Sequence, residues 1–300
     1  FNITDFKDNN KYSIFVLCCS DMDSENTILS VDVEKVIRGK SPKLADRLPR
    51  FVIEYIKKTI HQDEINRLLS DNKDFTGTEF ASHILQDLGV TYSVHYTGAS
   101  APDPSGRYIF VSNHPLGGLD GMILISYIGS RFPDVRFVVN DLLMYIKPLA
   151  PVFVPVNKYG HMRHENTRIF QDTFNSDAQV LYFPAGLCSR LIKGRVTDLD
   201  WKKTFITKAI ESRRDIVPMF FSGENSRRFY RLANIRKRLG IKFNIETFLL
   251  PDEMFRKRGS SFDLYIGEPV PYTSLTGEHS HKEWCDIIRQ KSYATCNQAR

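Results

Sequence analysis

The sequence predicts an α/β fold: a mixed, largely parallel sheet flanked by helices, preceded by an N-terminal amphipathic helical part. Two observations carry this. From Thr91 onward, short runs of β-branched and aromatic residues alternate with helix-period stretches, which is the pattern of a sheet covered on both faces. Before that point the alternation is missing and segments of helical period dominate. The expected divisions are 1–90 for the helical part, 91–272 for the α/β domain and 273–300 for a closing helix. A chain of 300 residues, 42% hydrophobic and 25% charged, can bury a sizeable core.

Each element follows from local pattern. The apolar run Ile14 to Cys19 reads as a strand or short buried segment. Asp5, Lys7, Asp8 and Lys11 precede it and no small-residue cleavage site follows, unlike a signal peptide. The chain opens at Phe1 rather than Met, which leaves open whether native residues precede it. Leu44 and Leu48 lead into Pro49, a residue suited to a helix start, and Phe51, Val52, Tyr55 and Ile56 then form a helical face. Ile60, Ile65, Leu68 and Leu69 extend it, and Thr78 to Leu88 forms another amphipathic helix with Thr76 or Thr78 at its cap. Such faces either pack on the core or lie on an anionic bilayer. Strands are expected at Thr91–Tyr96, Tyr108–Ser112, Val135–Val139, Val152–Val156, Val180–Phe183, Ile216–Phe221 and Asp263–Ile266. Helices are expected at Gly121–Ile128, His164–Phe174, Thr204–Arg213 and Lys282–Lys291, with Asp198 and Asp200 capping the helix that carries Trp201 and Lys208.

Composition excludes several classes. The longest apolar stretches, Tyr12–Cys19 and Gly121–Gly129, fall far short of the ~20 residues that span a bilayer. Five cysteines lack a framework spacing, and Cys18 and Cys19 are adjacent, so reduced thiols in the cytoplasm are expected. His161 and His164 stand three apart without acidic or cysteine partners at metal spacing, so no metal is expected. A net charge of +6 and a pI near 9.0 suit an anionic partner. No nucleic-acid-binding motif accompanies the charge, which leaves an anionic membrane or an acidic carrier protein.

Chemistry concentrates in Val111-Ser112-Asn113-His114-Pro115-Leu116-Gly117-Gly118-Leu119-Asp120-Gly121, on the turn between a predicted strand and helix. Asp120 alone could be a helix cap. Together with His114 it supplies what acyl transfer needs: an imidazole to take a proton, and a carboxylate to fix its tautomer and stabilise the imidazolium. Gly117 and Gly118 allow backbone to approach a substrate, and their amides or the following helix N-terminus are candidate oxyanion donors.

Asn113-His114 followed by Asp120 resembles the opening motif of the glycerophospholipid (lysophospholipid) acyltransferase superfamily. Four residues separate His and Asp in its common form and five do here, an addition that a diglycine turn can absorb. The whole string resembles a bacterial hemolysin-like acyltransferase subgroup that includes O-acyltransferases of ornithine and glycine amino-lipids. Three later stretches match the superfamily in order. Val152 to Lys158 stands where a strand ends in a basic headgroup contact, here Lys158. Val180 to Gly186 resembles the Phe-Pro-Glu-Gly acceptor motif, through Phe183, Pro184 and Gly186. Ile216 to Met219 resembles the final motif, with Pro218 beside the acyl site. The resemblance implies the same α/β fold, membrane-docking N-terminal helices, and transfer from an acyl thioester without a bound cofactor. Ala185 replaces the usual Glu and Lys158 the usual Arg, which favours an amino-lipid over a lysophosphatidate acceptor.

Cys188-Ser189 lacks the strand–Gly-x-Ser-x-Gly–helix setting of an esterase nucleophile. Ser189 and Arg190 are instead expected to donate hydrogen bonds and positive charge to substrate. Arg227, Arg228, Arg231, Arg236, Lys237 and Arg238 interleave with Phe229, Tyr230, Leu232, Ile235 and Leu239. This segment reads either as a solvated face or as a clamp for lipid headgroups, acyl carrier protein or coenzyme A. The expected protein is a cytoplasmic enzyme, peripheral on the inner face of the cell membrane. It would move a fatty acyl group from acyl carrier protein or coenzyme A to a lyso amino-lipid hydroxyl, with His114 as base. The alternatives are lysoglycerophospholipid acylation, N-acylation of an amino acid, and a non-catalytic membrane-binding protein.

Overall fold

The computed structural model describes residues 30–40, 46, 48–98, 101–140, 143–144, 146–156, 164–241 and 244–298. The apolar run at Ile14–Cys19, Leu44, Lys158 and His161 lie outside the described residues.

Nine strands are described: β1 (Thr91–Tyr96), β2 (Tyr108–Ser112), β3 (Val135–Asn140), β4 (Phe153–Val156), β5 (Gln179–Tyr182), β6 (Arg190–Ile192), β7 (Arg195–Thr197), β8 (Asp215–Phe221) and β9 (Ser261–Ile266). Seven form one sheet in the order β1-β9-β8-β2-β5-β3-β4, and β6 with β7 makes a separate antiparallel hairpin. Within the large sheet the one antiparallel pairing among described strands is β8–β9, so the sheet is mixed and largely parallel, as expected.

Ten α-helices occur among the described residues: α1 (Val33–Lys40), α2 (Arg50–Thr59), α3 (Gln62–Asp71), α4 (Gly77–Asp87), α5 (Gly118–Gly129), α6 (His164–Asn175), α7 (Thr204–Ser212), α8 (Arg227–Arg238), α9 (Leu250–Phe255) and α10 (His281–Gln298). The period-2 alternation of strand side chains sorts them into two layers. Tyr108, Phe110, Leu181, Val217 and Met219 share one apolar cluster with Phe80, Ile84 and Leu85 of α4 and Leu119 and Ile123 of α5. Their neighbours Ile109, Val111, Val180 and Ile216 share the other with Phe170 and Phe174 of α6, Phe205 and Ile206 of α7, and Ile288 of α10. Both faces of the sheet are thus covered, which is why β2 carries five consecutive buried residues instead of an alternation.

Helices α1 to α3 enclose a smaller cluster of Val31, Val33, Ile37 and Ile60, and Ile65 and Leu69 pack on both it and the main core. Arg214 is fully buried, and its guanidinium donates to the carbonyls of Phe174 (3.0 Å), at the end of α6, and of Ala178 (2.7 Å). It satisfies carbonyls that the helix end leaves orphaned. No described helix is long and apolar enough to cross a membrane.

Candidate active site

The C-terminal ends of β2, β5 and β8 lie side by side, because β2 pairs in parallel with both neighbours. Ligands of open α/β sheets bind at such strand ends. Here the chain leaves β2 and turns at Asn113. That amide, read from the sequence as a substrate contact, instead clamps the turn to the end of β8: Phe221 N donates to Asn113 Oδ1 (2.7 Å) and Asn113 Nδ2 donates to Phe221 O (3.0 Å). A second amide, buried Asn225, donates from Nδ2 to Pro115 O at 3.1 Å.

His114 Nδ1 lies 3.0 Å from Asp120 Oδ2, so the extra residue between them is accommodated. Gly117 makes this possible. Its φ of 89° is left-handed, and a Cβ there would meet Leu250 Cδ2 at 2.9 Å and Cys188 Sγ at 3.2 Å. A side chain at this position would collide with Leu250 and Cys188, so the turn requires glycine here. Gly118 opens α5, and a Cβ on it would meet nothing within 4 Å, so this amide end of the helix faces open space.

Asp120 is fully buried and accepts from Leu116 N (2.9 Å) and Gly121 N (2.8 Å) as well as facing the imidazole. The imidazole stacks on Phe183, with centroids 4.0 Å apart, and Phe183 is braced edge-on by Phe137. Burial opposes the imidazolium, yet Asp120 and the nearby Cys188 outweigh it and hold the His114 pKa well above its ordinary value. With Nδ1 held by the carboxylate, Nε2 is the nitrogen left to exchange a proton with a reactant.

Asp198 was expected to cap a helix and does not. It is buried, and its carboxylate accepts from His114 N (3.2 Å), Ser189 Oγ (2.5 Å) and Trp201 Nε1 (2.8 Å). Burial pushes its pKa up against those three hydrogen bonds. Helix α7 starts only at Thr204. Ser189 N also donates to His114 O at 2.7 Å, so Asp198 and Ser189 together grip the backbone of the His114 turn. The substrate contact expected of the Ser189 hydroxyl is corrected: it is spent on Asp198.

Arg190 is corrected in the same way. It is buried, with Nη1 2.6 Å from Cys188 O and Nη2 2.8 Å from Glu246 Oε1. Arg236, expected on the outer clamp, donates from Nε to the other oxygen of Glu246 at 2.8 Å. Glu246 is fully buried between two guanidiniums, which joins β6, α8 and the 3₁₀ turn at Ile245–Leu249. Arg227, Arg228, Arg231, Lys237 and Arg238 remain on the exposed face of α8.

Pro184 and Gly186 follow Phe183 at the end of β5; Pro184 is buried, and Gly186 closes a turn by donating to Phe183 O at 3.0 Å. Pro218 is buried inside the sheet opposite Val111, and its carbonyl accepts from Gly267 N at 2.8 Å, so the expected place beside a substrate is corrected too. No group of three or more metal-ligating side chains occurs among the described residues. The geometry assembled here, a base held by a buried carboxylate at an open helix N-terminus, is competent for proton abstraction from a hydroxyl and for stabilising an oxyanion.

A family model described as "Acyltransferase" matches residues 35–299. A lyso-glycine lipid O-acyltransferase of Bacteroides thetaiotaomicron is 42% identical over 271 residues, covering 90% of this chain and 99% of that protein. A protein of the same name from Phocaeicola vulgatus is 41% identical over 271 residues, covering 90% and 96% respectively. Among solved structures, the 1-acyl-sn-glycerophosphate (LPA) acyltransferase PlsC from Thermotoga maritima gives a TM-score of 0.45 at 17% identity, covering 82% of this chain and 88% of that one.

Proposed function

This chain belongs to the acyltransferase family, and from that premise we propose that it moves a fatty acyl group from an acyl thioester to the hydroxyl of a lyso-glycine lipid. The observation that carries the reading is the His114–Asp120 pair at 3.0 Å, in a chain 42% identical to a lyso-glycine lipid O-acyltransferase across nearly all of that protein. His114 takes the proton from the acceptor hydroxyl as its oxygen attacks the thioester carbonyl. Asp120 holds the imidazole and balances its charge. Amides at the start of α5 receive the developing oxyanion. Collapse breaks the carbon–sulfur bond, and the leaving thiolate takes the proton from His114. The thioester is already activated, so no cofactor enters this sequence; acyl carrier protein or coenzyme A is the co-substrate.

Ala185 supports an amino-lipid acceptor: it is buried where the superfamily motif carries Glu, so that motif brings no carboxylate to the acceptor here. Phe183 lines the imidazole, and Lys158 stays a proposed headgroup contact. Purified protein given an acyl-loaded carrier is expected to convert lyso-glycine lipid to its diacyl form well ahead of lysophosphatidic acid or free glycine. Preference for lysophosphatidic acid, or acylation of free glycine alone, would contradict the acceptor.

The reading extends to an anionic membrane surface on which the lipid acceptor is met. Phe51 and Tyr55 of α2 are 74% and 61% exposed, and Ile235 of α8 and Leu239 at its C-cap are 51% and 68% exposed. Arg228 Nη2 donates to Tyr55 Oη at 3.3 Å, so the two helices adjoin. Exposed apolar side chains among Arg227, Arg231, Lys237 and Arg238 suit the boundary between acyl chains and anionic headgroups. A peripheral position on the inner face of the cell membrane is part of this proposal.

A further inference from the structure

Asp198 follows β7 and is 2% exposed. Among the described residues no cation pairs with its carboxylate; the three partners are the neutral donors His114 N, Ser189 Oγ and Trp201 Nε1. Burying a carboxylate without a counter-charge is costly, so stability alone explains this one poorly. One of the three donors is the backbone amide of the proposed base, and the carbonyl of that same residue accepts from Ser189 N at 2.7 Å. Both backbone polar groups of His114 are thus tied to residues 189 and 198. Resting on the acyl-transfer reading above, we propose that Asp198 is a positioning residue: its carboxylate fixes the backbone of His114 so that Nε2 meets the acceptor hydroxyl.

Asp198 is itself held on both sides of its own backbone by α10. Its N–H donates to Tyr293 Oη at 3.0 Å, and its carbonyl accepts from Arg289 Nη2 at 2.8 Å. The last helix therefore sets Asp198, and Asp198 sets His114. The imidazole has supports of its own, Asp120 at Nδ1 and the ring of Phe183. Those fix its tautomer and tilt, while the Asp198 contact fixes the backbone from which the side chain projects. A base acts only within hydrogen-bond reach of the proton it takes. A displacement of about 1 Å can cost roughly a hundredfold in rate.

The way the two oxygens are used makes a carboxylate necessary. Oδ1 accepts from His114 N and Ser189 Oγ, and Oδ2 accepts from Trp201 Nε1 at 2.8 Å. An amide in its place always turns its NH₂ toward one side of this set. With its oxygen toward His114, asparagine opposes the indole N–H of Trp201; flipped, it opposes the His114 amide. Removing the indole N–H lets the first orientation stand. A loss of rate on Asp198→Asn should therefore be relieved by Trp201→Phe. Stability cannot mimic that relief, because Trp201 is among the largest fully buried side chains and its truncation leaves a cavity.

The test is steady-state acyl transfer to lyso-glycine lipid by the full chain, with unfolding temperatures recorded alongside. The donor is a long-chain acyl carrier protein, with the coenzyme A thioester in a parallel arm. Asp198→Asn is expected to lower kcat roughly a hundredfold while KM for donor and acceptor stays within about threefold. Adding Trp201→Phe to it is expected to restore kcat by at least about tenfold although the unfolding temperature falls further. Tyr293→Phe removes only the hydroxyl that accepts from Asp198 N, and it decides the matter where an Asp198 variant does not fold. Its kcat is expected to fall by more than about threefold at unchanged KM. Several results would overturn the proposal while leaving acyl transfer standing. They are an Asp198→Asn kcat within about tenfold of wild type, a loss that lies in KM, a folded double variant that regains less than stated, or, where Tyr293→Phe decides, a smaller loss than stated. No wild-type turnover with either donor would overturn the acyl-transfer reading itself.

Discussion

At the scale of single residues, the proposed chemistry rests on His114, and its environment sets a sign that can be measured. Burial disfavours the imidazolium, but Asp120 and Cys188 prevail and the pKa stands well above the ordinary value near 6.5. A base must be neutral to act, so transfer is predicted to rise with pH along an acid limb displaced upward from 6.5. Stability runs the other way. The protonated imidazole facing Asp120 contributes stability that is fully present below about pH 6.5 and lost as pH rises through the folded-state value. Activity and unfolding temperature measured over the same interval should therefore move in opposite directions, and parallel movement would contradict the assignment. His114→Ala should cost roughly 10²- to 10⁴-fold in turnover, the usual contribution of a positioned base. His114 and Asp120 were legible because their spacing and the flanking glycines stand out in one short stretch. Asp198 and Asn225 were not, since each reaches the catalytic turn only through folding, across 84 and 110 positions respectively.

At the scale of elements, every strand expected from Thr91 onward forms within one or two residues of its predicted limits, the central ones as apolar runs sealed between two helical layers and the edge strand β1 as an alternation of exposed and half-buried residues. The hairpin of β6 and β7 went unread, since three-residue strands carry too little periodicity. Its turn did leave a trace. Lys193 and Gly194 have φ of 49° and 80°, as a two-residue hairpin of type I′ requires. Lys193→Asn, which tolerates that conformation better, is predicted to stabilise the fold by up to about 1 kcal/mol in denaturant unfolding. The charges of α8 show a different limit of sequence reading. Arg190 and Arg236 looked like ligands for headgroups because Glu246, ten residues beyond Arg236, could not be seen to lie between them. Glu246→Gln leaves two guanidiniums unpaired in the interior and should cost about 3–5 kcal/mol in unfolding free energy. A loss below 1 kcal/mol would mean that the pairing is not structural.

At the scale of the whole molecule, the parallel core gathers the C-terminal ends of β2, β5 and β8 side by side, where the candidate catalytic turn leaves β2. The exposed apolar and basic side chains of α2 and α8 are proposed to bring that edge to a lipid surface. Phe51→Asp combined with Leu239→Asp is predicted to lower sedimentation with anionic vesicles while leaving the unfolding temperature nearly unchanged. Binding of the wild type should weaken with salt as its cationic contacts are screened. Equal binding to neutral vesicles would argue against the role of Arg227, Arg231, Lys237 and Arg238. The central claim, that the His114–Asp120 pair acylates an amino-lipid, is tested most directly by mass-spectrometric lipid profiling of cells that make lyso-glycine lipid. These would express the wild type or His114→Ala at matched levels. The account predicts a diacyl glycine lipid, one acyl chain heavier than its precursor, with the wild type only. The same lipid at equal abundance with both proteins, or with neither, would contradict it.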